Sequence, residues 1–293
     1  VVANPMTVGM EMGLRFRVYR PPAPVPGERL PLLVMLHGCG QDGQELAAST
    51  AMNRIAARKR FVVLYPEQSS LNAHRCWHWY DTRTGRAQRE AFAIDAVISQ
   101  VCREQGVDPE RIAVAGLSAG AGMAALLATL IPERFRAVVM HSGIVPGVAD
   151  SLVSALRAMS GARVGAGAHA PAPALPALLV IHGDQDRIVH LDNAGEAVHW
   201  WATQGGAGPG LPRREQRGGR YPVTVTEYRA QGSICAILCQ VHGLGHAWSG
   251  GTGGRDFSDP QGPDASRMIW AFAALQFAVT KETGAKVATF GMV

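Results

Sequence analysis

The sequence predicts an α/β fold, with a mostly parallel central sheet and helices on both faces. Three observations carry this expectation. Short β-like runs alternate with helical runs along most of the 293 residues. Several strand runs, among them Leu32–Leu36, Ala137–Met140 and Leu178–Ile181, are apolar at every position. That is the pattern of a strand covered on both faces. The 47% hydrophobic content is enough for one large core, so a single domain over residues 1–293 is the simplest organisation.

Taken in order, Leu14 to Tyr19 alternates as a strand should, and Pro21-Pro22 ends it. Leu32 to Leu36 follows as a buried parallel strand. Glu45 to Arg58 reads as a helix, and Phe61 to Tyr65 as a strand that Pro66 stops. Glu90 to Gln105 is helical, with Phe92, Ile94, Val97, Ile98 and Val101 on one stripe. Ile112 to Ala115 is a strand leading into an Ala/Leu-rich helix from Ala121 to Leu130. After the strands at 137–140 and 178–181 come a helix from Asn193 to Thr203 and strands from Val223 to Tyr228 and Ile234 to Val241. A helix from Ala265 to Val279 closes the pattern. Gly161–Pro176 and Gly205–Gly219 read as loops, the first of them mobile.

Composition excludes several classes. No apolar run approaches 18 residues, so no membrane-spanning helix is expected. The net charge of +5 is scattered, and its densest cluster, Arg213 to Arg220, reads as a solvated loop. A basic stripe with interleaved aromatics is missing, which argues against nucleic acid as a partner. The chain opens at Val1 without a basic and then apolar leader, so any signal peptide would already be removed. Of five cysteines, none forms a C-x-x-C, which argues against zinc. Cys102 reads as a buried thiol on a helix. Cys235 and Cys239 would stand roughly 13 Å apart on a strand, too far to bridge. Cys39 and Cys76 both lie in motif-bearing loops, where a bridge is plausible. A secreted or periplasmic home follows as an expectation.

The chemistry is concentrated in Gly116-Leu117-Ser118-Ala119-Gly120, a G-x-S-x-G between a strand and a helix. This is the context of a nucleophile elbow, in which small neighbours let the chain turn sharply and raise the serine hydroxyl. A serine hydroxyl is nearly inert at neutral pH, so it needs a base and an acid that orients the base. In the α/β-hydrolase fold these follow in the order acid, then histidine. The acid is expected after the strand 178–181, in His182-Gly183-Asp184-Gln185-Asp186. Two aspartates compete there. Asp186 is favoured by the pattern H-G-x-x-D-x-x-V, and Asp184 reads as stabilising the turn. The base is expected in Gly243-Leu244-Gly245-His246, with His242, inside the apparent strand, as its rival. The oxyanion hole needs two backbone N–H groups aimed at one point. Ala119 would supply one, and Cys39, in His37-Gly38-Cys39-Gly40 after an early strand, the other. Trp77, Trp79 and Trp248 are candidates for a substrate groove, since flat amphipathic rings suit an apolar ester chain. Tyr80 and His78 are weaker candidates, and Met123 and Met140 read as core. This chemistry needs neither cofactor nor metal, and none is expected.

At Leu36–Gln41, Cys76–Trp79, Gly116–Ala121, His182–Asp186, Gly245–Gly250 and Asp259–Ser266 the chain resembles the esterase/poly(3-hydroxybutyrate) depolymerase family of α/β-hydrolases. Feruloyl and acetylxylan esterases are close relatives. The resemblance implies Ser118 as nucleophile, Asp186 as acid, His246 as base and Cys39 and Ala119 as oxyanion donors. It also implies that Cys39 pairs with Cys76. Many secreted depolymerases of the family carry a linker and a polymer-binding domain; no separate polymer-binding domain is expected here. The implied activity is a serine carboxylesterase acting on polyester or its oligomers. Feruloyl or acetylxylan-type esters are the alternative substrate, a peptidase is weaker, and a silent fold used for binding is the alternative from another class.

Overall fold

The structure is a computed structural model and describes residues 6–23, 25–162 and 174–279. Its elements run β1 (Thr7–Glu11), β2 (Leu14–Tyr19), β3 (Leu30–Leu36), α1 (Gly43–Thr50), α2 (Met52–Lys59), β4 (Val62–Glu67), α3 (Arg86–Gln105) and β5 (Val107–Leu117). Then come α4 (Ala119–Leu130), β6 (Ala137–His141), α5 (Leu152–Met159), β7 (Ala177–Gly183) and α6 (Asp192–Gln204). The last are β8 (Gly208–Pro209), β9 (Arg213–Glu215), β10 (Val223–Ala230), β11 (Ser233–Val241), β12 (Trp248–Ser249), β13 (Ser258–Asp259) and α7 (Ala265–Ala278).

The main sheet has the order β1-β2-β4-β3-β5-β6-β7-β11-β10-β8, with β9 also on β10. From β4 to β11 the pairing is parallel, while β1, β2, β10, β8 and β9 add antiparallel edges. This is the α/β-hydrolase arrangement, a mostly parallel sheet between helices. The wholly apolar β3 shows why its pattern lacks alternation. Leu32, Val34 and Leu36 face a core shared with α3, α4 and α6. Leu33 and Met35 face a second core shared with α1, α2 and α7. Both faces are dry, so each position demands an apolar side chain, and each buried Leu or Val contributes about 1.5–3 kcal/mol.

Five local expectations differ from the structure. The helix expected from Glu45 to Arg58 is two, α1 and α2, because Ala51 adopts the left-handed conformation at φ 52° between them. β4 continues through Pro66 to Glu67. Its ladder with β3 ends at Leu64, so Pro66 has only β2 as a neighbour, and the missing N–H interrupts nothing on the β3 side. Phe92 is half exposed rather than part of the buried stripe of α3, whose inner face is Ala87, Ala91, Ile94, Val97, Ile98 and Val101. Part of the 205–219 loop is β8 and β9, and Arg213 there pairs with Glu215 and Glu227 instead of standing in solvent. Cys102 is half-buried, and it is free, as are Cys235 and Cys239. β1, α5, β12 and β13 were not anticipated, and residues 163–173 of the first expected loop lie outside the described residues.

The turn from β5 into α4 is tightly packed. Ser118 sits at φ 56°, ψ −119°, a conformation side chains rarely adopt. A Cβ on Gly116 would stand 2.2 Å from the Gly120 carbonyl group, and a Cβ on Gly120 would stand 2.2 Å from the Leu36 carbonyl oxygen. Helix α4 can therefore cross β3 only with glycine at both positions. We expect Gly120→Ala to destabilise the protein by about 1–3 kcal/mol through overpacking. Gly195→Ala is the control: its Cβ on α6 would meet nothing within 4 Å. It should instead stabilise by about 0.5–1 kcal/mol. Urea titration of both variants checks the pair of signs.

Candidate active site

Strand register gathers the candidate residues at one edge. Leu117 of β5 pairs with His141 of β6, His141 pairs with Ile181 of β7, and Gly183 of β7 pairs with Val241 of β11. Each strand points its C-terminal end the same way, so the segments beginning at Ser118, Ser142, Asp184 and His242 emerge side by side. The crevice beyond these strand ends is the usual place for ligands in open parallel sheets.

Two Asp–His pairs bridge the loop after β7 to the loop after β11. In the first, Asp186 Oδ1 accepts the N–H groups of Ile188 (2.9 Å) and Val189 (2.8 Å), which fixes the carboxylate. Its Oδ2 accepts from His246 Nδ1 at 2.7 Å. That bond places the proton of the neutral imidazole on Nδ1 and leaves Nε2 with a lone pair. In the second, Asp184 Oδ1 accepts from Gly243 N (2.8 Å) and Oδ2 from His242 Nδ1 (2.9 Å). The Nε2 of His242 is engaged with the Thr224 hydroxyl at 2.8 Å. Asp184 thus ties the two loops together rather than bracing only its own turn, and His242 lies just past β11 rather than within it. Among the described residues neither His246 Nε2 nor the Ser118 hydroxyl has a hydrogen-bond partner, so of the two histidines only His246 has a free basic nitrogen. Close packing enforces the loop approach: a Cβ on Gly183 would stand 2.0 Å from the Leu244 carbonyl oxygen. Burial pushes the Asp186 carboxyl up, but the hydrogen bond and charge of His246, with Val189 N–H and His182, outweigh it. The net position is below the usual carboxylate range.

Ser118 and Ala119 open into a cavity of about 180 Å³ whose walls include Cys39, Trp77, Trp79 and Tyr80. Among the described residues, the N–H groups of Cys39 and Ala119 donate to no protein acceptor. Ala119 is the first residue of α4, where backbone N–H groups are left over and the helix dipole favours negative charge. Cys39 is joined to Cys76 by a disulfide, which pins the tryptophan loop beside the loop after β3. The Trp77 indole donates to the His37 carbonyl at 3.1 Å, and Trp79 packs against Gly122. Far from being a bare tight turn, His37 is buried and accepts from Gln68 N, joining the ends of β3 and β4. His78 is paired with Glu90 and lines no part of this cavity. Met123 and Met140 are buried in the core.

Trp248 requires a correction. It is fully buried, its indole donates to Ser266 Oγ at 3.0 Å, and it does not line the cavity. In its place α5 supplies the opposite wall, with Leu152, Leu156 and Met159. Only the contacts of α5 could have revealed this, because a single eight-residue helix carries too few turns for a clear periodic signal. His141, which no sequence motif singles out, stands between the elbow and the segment after His246. Among the described residues no group of three His, Cys, Asp or Glu could hold a metal ion. No described helix is long and apolar enough to cross a membrane.

A family model described as Esterase PHB depolymerase matches residues 14–205. The chain belongs to this family. Over 231 residues this family member is 29% identical to the poly(3-hydroxyalkanoate) depolymerase C of Paucimonas lemoignei, covering 74% of the chain and 54% of that relative. Over 190 residues it is 25% identical to the feruloyl esterase B of Thermothelomyces thermophilus, covering 59% of the chain and 65% of that relative. The chain thus spans between half and two thirds of the length of these curated relatives. An acetyl xylan esterase from Aspergillus awamori has the same fold at a TM-score of 0.67 and 19% identity, covering 83% of this chain and 94% of that one.

Buried histidines give this family member a definite acid response. Burial, with the charges of His182 and His246, lowers His141 from 6.5 to about 3, and Asp186 only partly opposes it. Burial also lowers His37 and His182. Below about 6.5 the unfolded chain therefore binds protons that the folded chain refuses, and stability falls with pH in that window. The depressed Asp186 acts in the same direction at lower pH: its contribution is present above the unfolded carboxylate value and is lost as pH falls through its folded value. Urea midpoints measured from pH 7.5 down to pH 4 should fall steadily, and a flat profile would contradict the burial of these groups.

Proposed function

We propose that this chain is a serine carboxylesterase that cleaves poly(3-hydroxybutyrate)-type polyester or its oligomers through an acyl-enzyme. The observation that carries this reading is the buried Asp186–His246 pair, whose free Nε2 belongs to the same strand-end cluster as a strained serine opening into an apolar cavity. Ser118 Oγ attacks the ester carbonyl and gives its proton to His246 Nε2. Asp186 holds the imidazole tautomer and stabilises the imidazolium. The developing oxyanion takes hydrogen bonds from the Cys39 and Ala119 N–H groups. His246 returns the proton to the leaving alcohol, and a water activated by His246 then releases the acid.

The cavity supports this substrate class. Its walls carry aromatic and aliphatic side chains and no charged group. Leu152 and Leu156 continue from the wall into solvent, 58% and 56% exposed. A short hydroxyacid repeat with small apolar branches fits such a wall. An aryl acyl group such as feruloyl would also lie against Trp79 and Tyr80, which keeps plant-cell-wall esters as the second reading. The Cys39–Cys76 disulfide supports an oxidising compartment, secreted or periplasmic.

The deciding assay is clearing of an amorphous poly(3-hydroxybutyrate) suspension, with hydrolysis of a soluble p-nitrophenyl ester alongside. Ser118→Ala should cut turnover of both by about 10⁶-fold. Turnover near wild type would remove Ser118 from its role, and failure of the wild type to label with a fluorophosphonate would favour a silent fold. Hydrolysis of the soluble ester without clearing moves the substrate to soluble oligomers or feruloyl esters. Leu156→Asp should reduce clearing more than p-nitrophenyl acetate hydrolysis, because Leu156 carries the cavity wall out into solvent, where a longer chain would extend. An equal loss on both substrates would count against that wall as a polymer contact.

A further inference from the structure

We propose that His141 is a positioning residue whose peptide carbonyl and imidazole together hold the Ser118 backbone and the His246 loop at one spacing. The inference rests on the reading of Ser118 and His246 as nucleophile and base. His141 ends β6, in register between Leu117, which precedes Ser118, and Ile181, which precedes His182. Its carbonyl oxygen accepts the Ser118 N–H at 2.9 Å. The side chain is fully buried. Its Nε2 accepts from the backbone N–H of Ser249, three residues after His246, at 3.1 Å. Because Nε2 accepts, the ring proton sits on Nδ1, which donates to the Ser142 hydroxyl at 3.1 Å. The ring also stacks on Trp248, with centroids 5.1 Å apart and planes at 20°. One residue is thus bonded through its main chain to the nucleophile elbow and through its side chain to the loop that carries the base.

The arrangement has a chemical requirement that a merely space-filling residue would lack. Nε2 must stay unprotonated, or the Ser249 N–H faces a second donor. The charged groups that act on the ring are His182, His246 and Asp186, and the two histidines oppose a proton on His141. His141 is therefore a fixed acceptor across the pH range in which an imidazole base works. No atom of His141 touches the cavity, so its effect on the reaction passes through the spacing of Ser118 and His246. Geometric errors of about 1 Å between reacting groups cost on the order of 100-fold in rate.

Two variants and one measurement on the wild type test this. His141→Phe keeps the stacking on Trp248 and removes the acceptor, whereas His141→Gln can return an acceptor oxygen near the Nε2 position. With p-nitrophenyl acetate, His141→Phe should lower kcat by about 100-fold with KM unchanged. It should slow fluorophosphonate labelling of Ser118 to the same degree, and His141→Gln should recover most of both. A Phe variant as active as wild type overturns the proposal. So does a loss of kcat that matches in both variants and simply follows their loss of folded protein. Should the Phe variant not fold, ¹⁵N NMR of wild-type imidazoles decides. His141 must hold the Nδ1–H tautomer without titrating from pH 5 to 9, and an Nε2–H tautomer overturns the proposal. Wild-type protein that neither turns over nor labels sinks the nucleophile reading itself. Active wild type beside an equally active Phe variant sinks this inference alone.

Discussion

The parallel register of β5, β6 and β7 is the constraint on which the rest of this structure depends. Leu117, His141 and Ile181 stand side by side in three neighbouring strands; the chain leaves β5 and β6 at the next residue and β7 after Gly183. Parallel strands all end at the same edge, so side chains far apart in sequence emerge within a few ångströms of one another. A slip of one residue in any of these ladders would turn every side chain of the slipped strand to the opposite face. The two dry cores prevent that slip indirectly, since each face already fills its space with residues matched to its own helices.

Close backbone approach does at two points what side chains do elsewhere. Gly120 lets α4 lie against the Leu36 carbonyl, and Gly183 lets the His246 loop lie against β7. Both contacts bring polar backbone near the strand ends without filling the crevice. The strain at Ser118 is the local cost, and the helix that follows offsets it with nearly complete burial of its first ten residues. The Cys39–Cys76 bridge makes a third close approach, covalent this time, between the loop after β3 and the tryptophan loop.

Two Asp–His pairs across the same two loops divide the labour between them. The outer pair, Asp184–His242, is closed off by Thr224 and works as a clasp. The inner pair, Asp186–His246, is buried and ends in an open nitrogen. The residue types are the same in both. What separates them is the hydrogen-bond partner of Nε2, the Thr224 hydroxyl in one case and, among the described residues, none in the other. His141 belongs to the same logic, as an imidazole whose two nitrogens are both spoken for and which therefore stays neutral.

The α/β fold was readable from the sequence because its signals are local. Continuous apolar runs mark strands covered on both faces, and the glycines around Ser118 mark a turn that admits no side chain. Pairing of particular polar residues was less readable. Which aspartate meets which histidine depends on loop crossings that no spacing encodes, and H-G-D-Q-D alone leaves both aspartates available. Aromatic residues were the least readable of all. Trp77, Trp79 and Trp248 share a composition and a motif-rich setting, yet two line the cavity and the third is buried beneath the loop against His141 and Ser266. α5 gave no warning because eight residues make barely two turns, and its Leu152 and Leu156 acquire meaning only opposite the tryptophans. Most of the strands and helices and the elbow are legible in short stretches of residues, since backbone geometry and burial act over a few residues. Which side chains face one another came with the folded chain alone, because it depends on the register and crossing of segments some 60 to 108 residues apart.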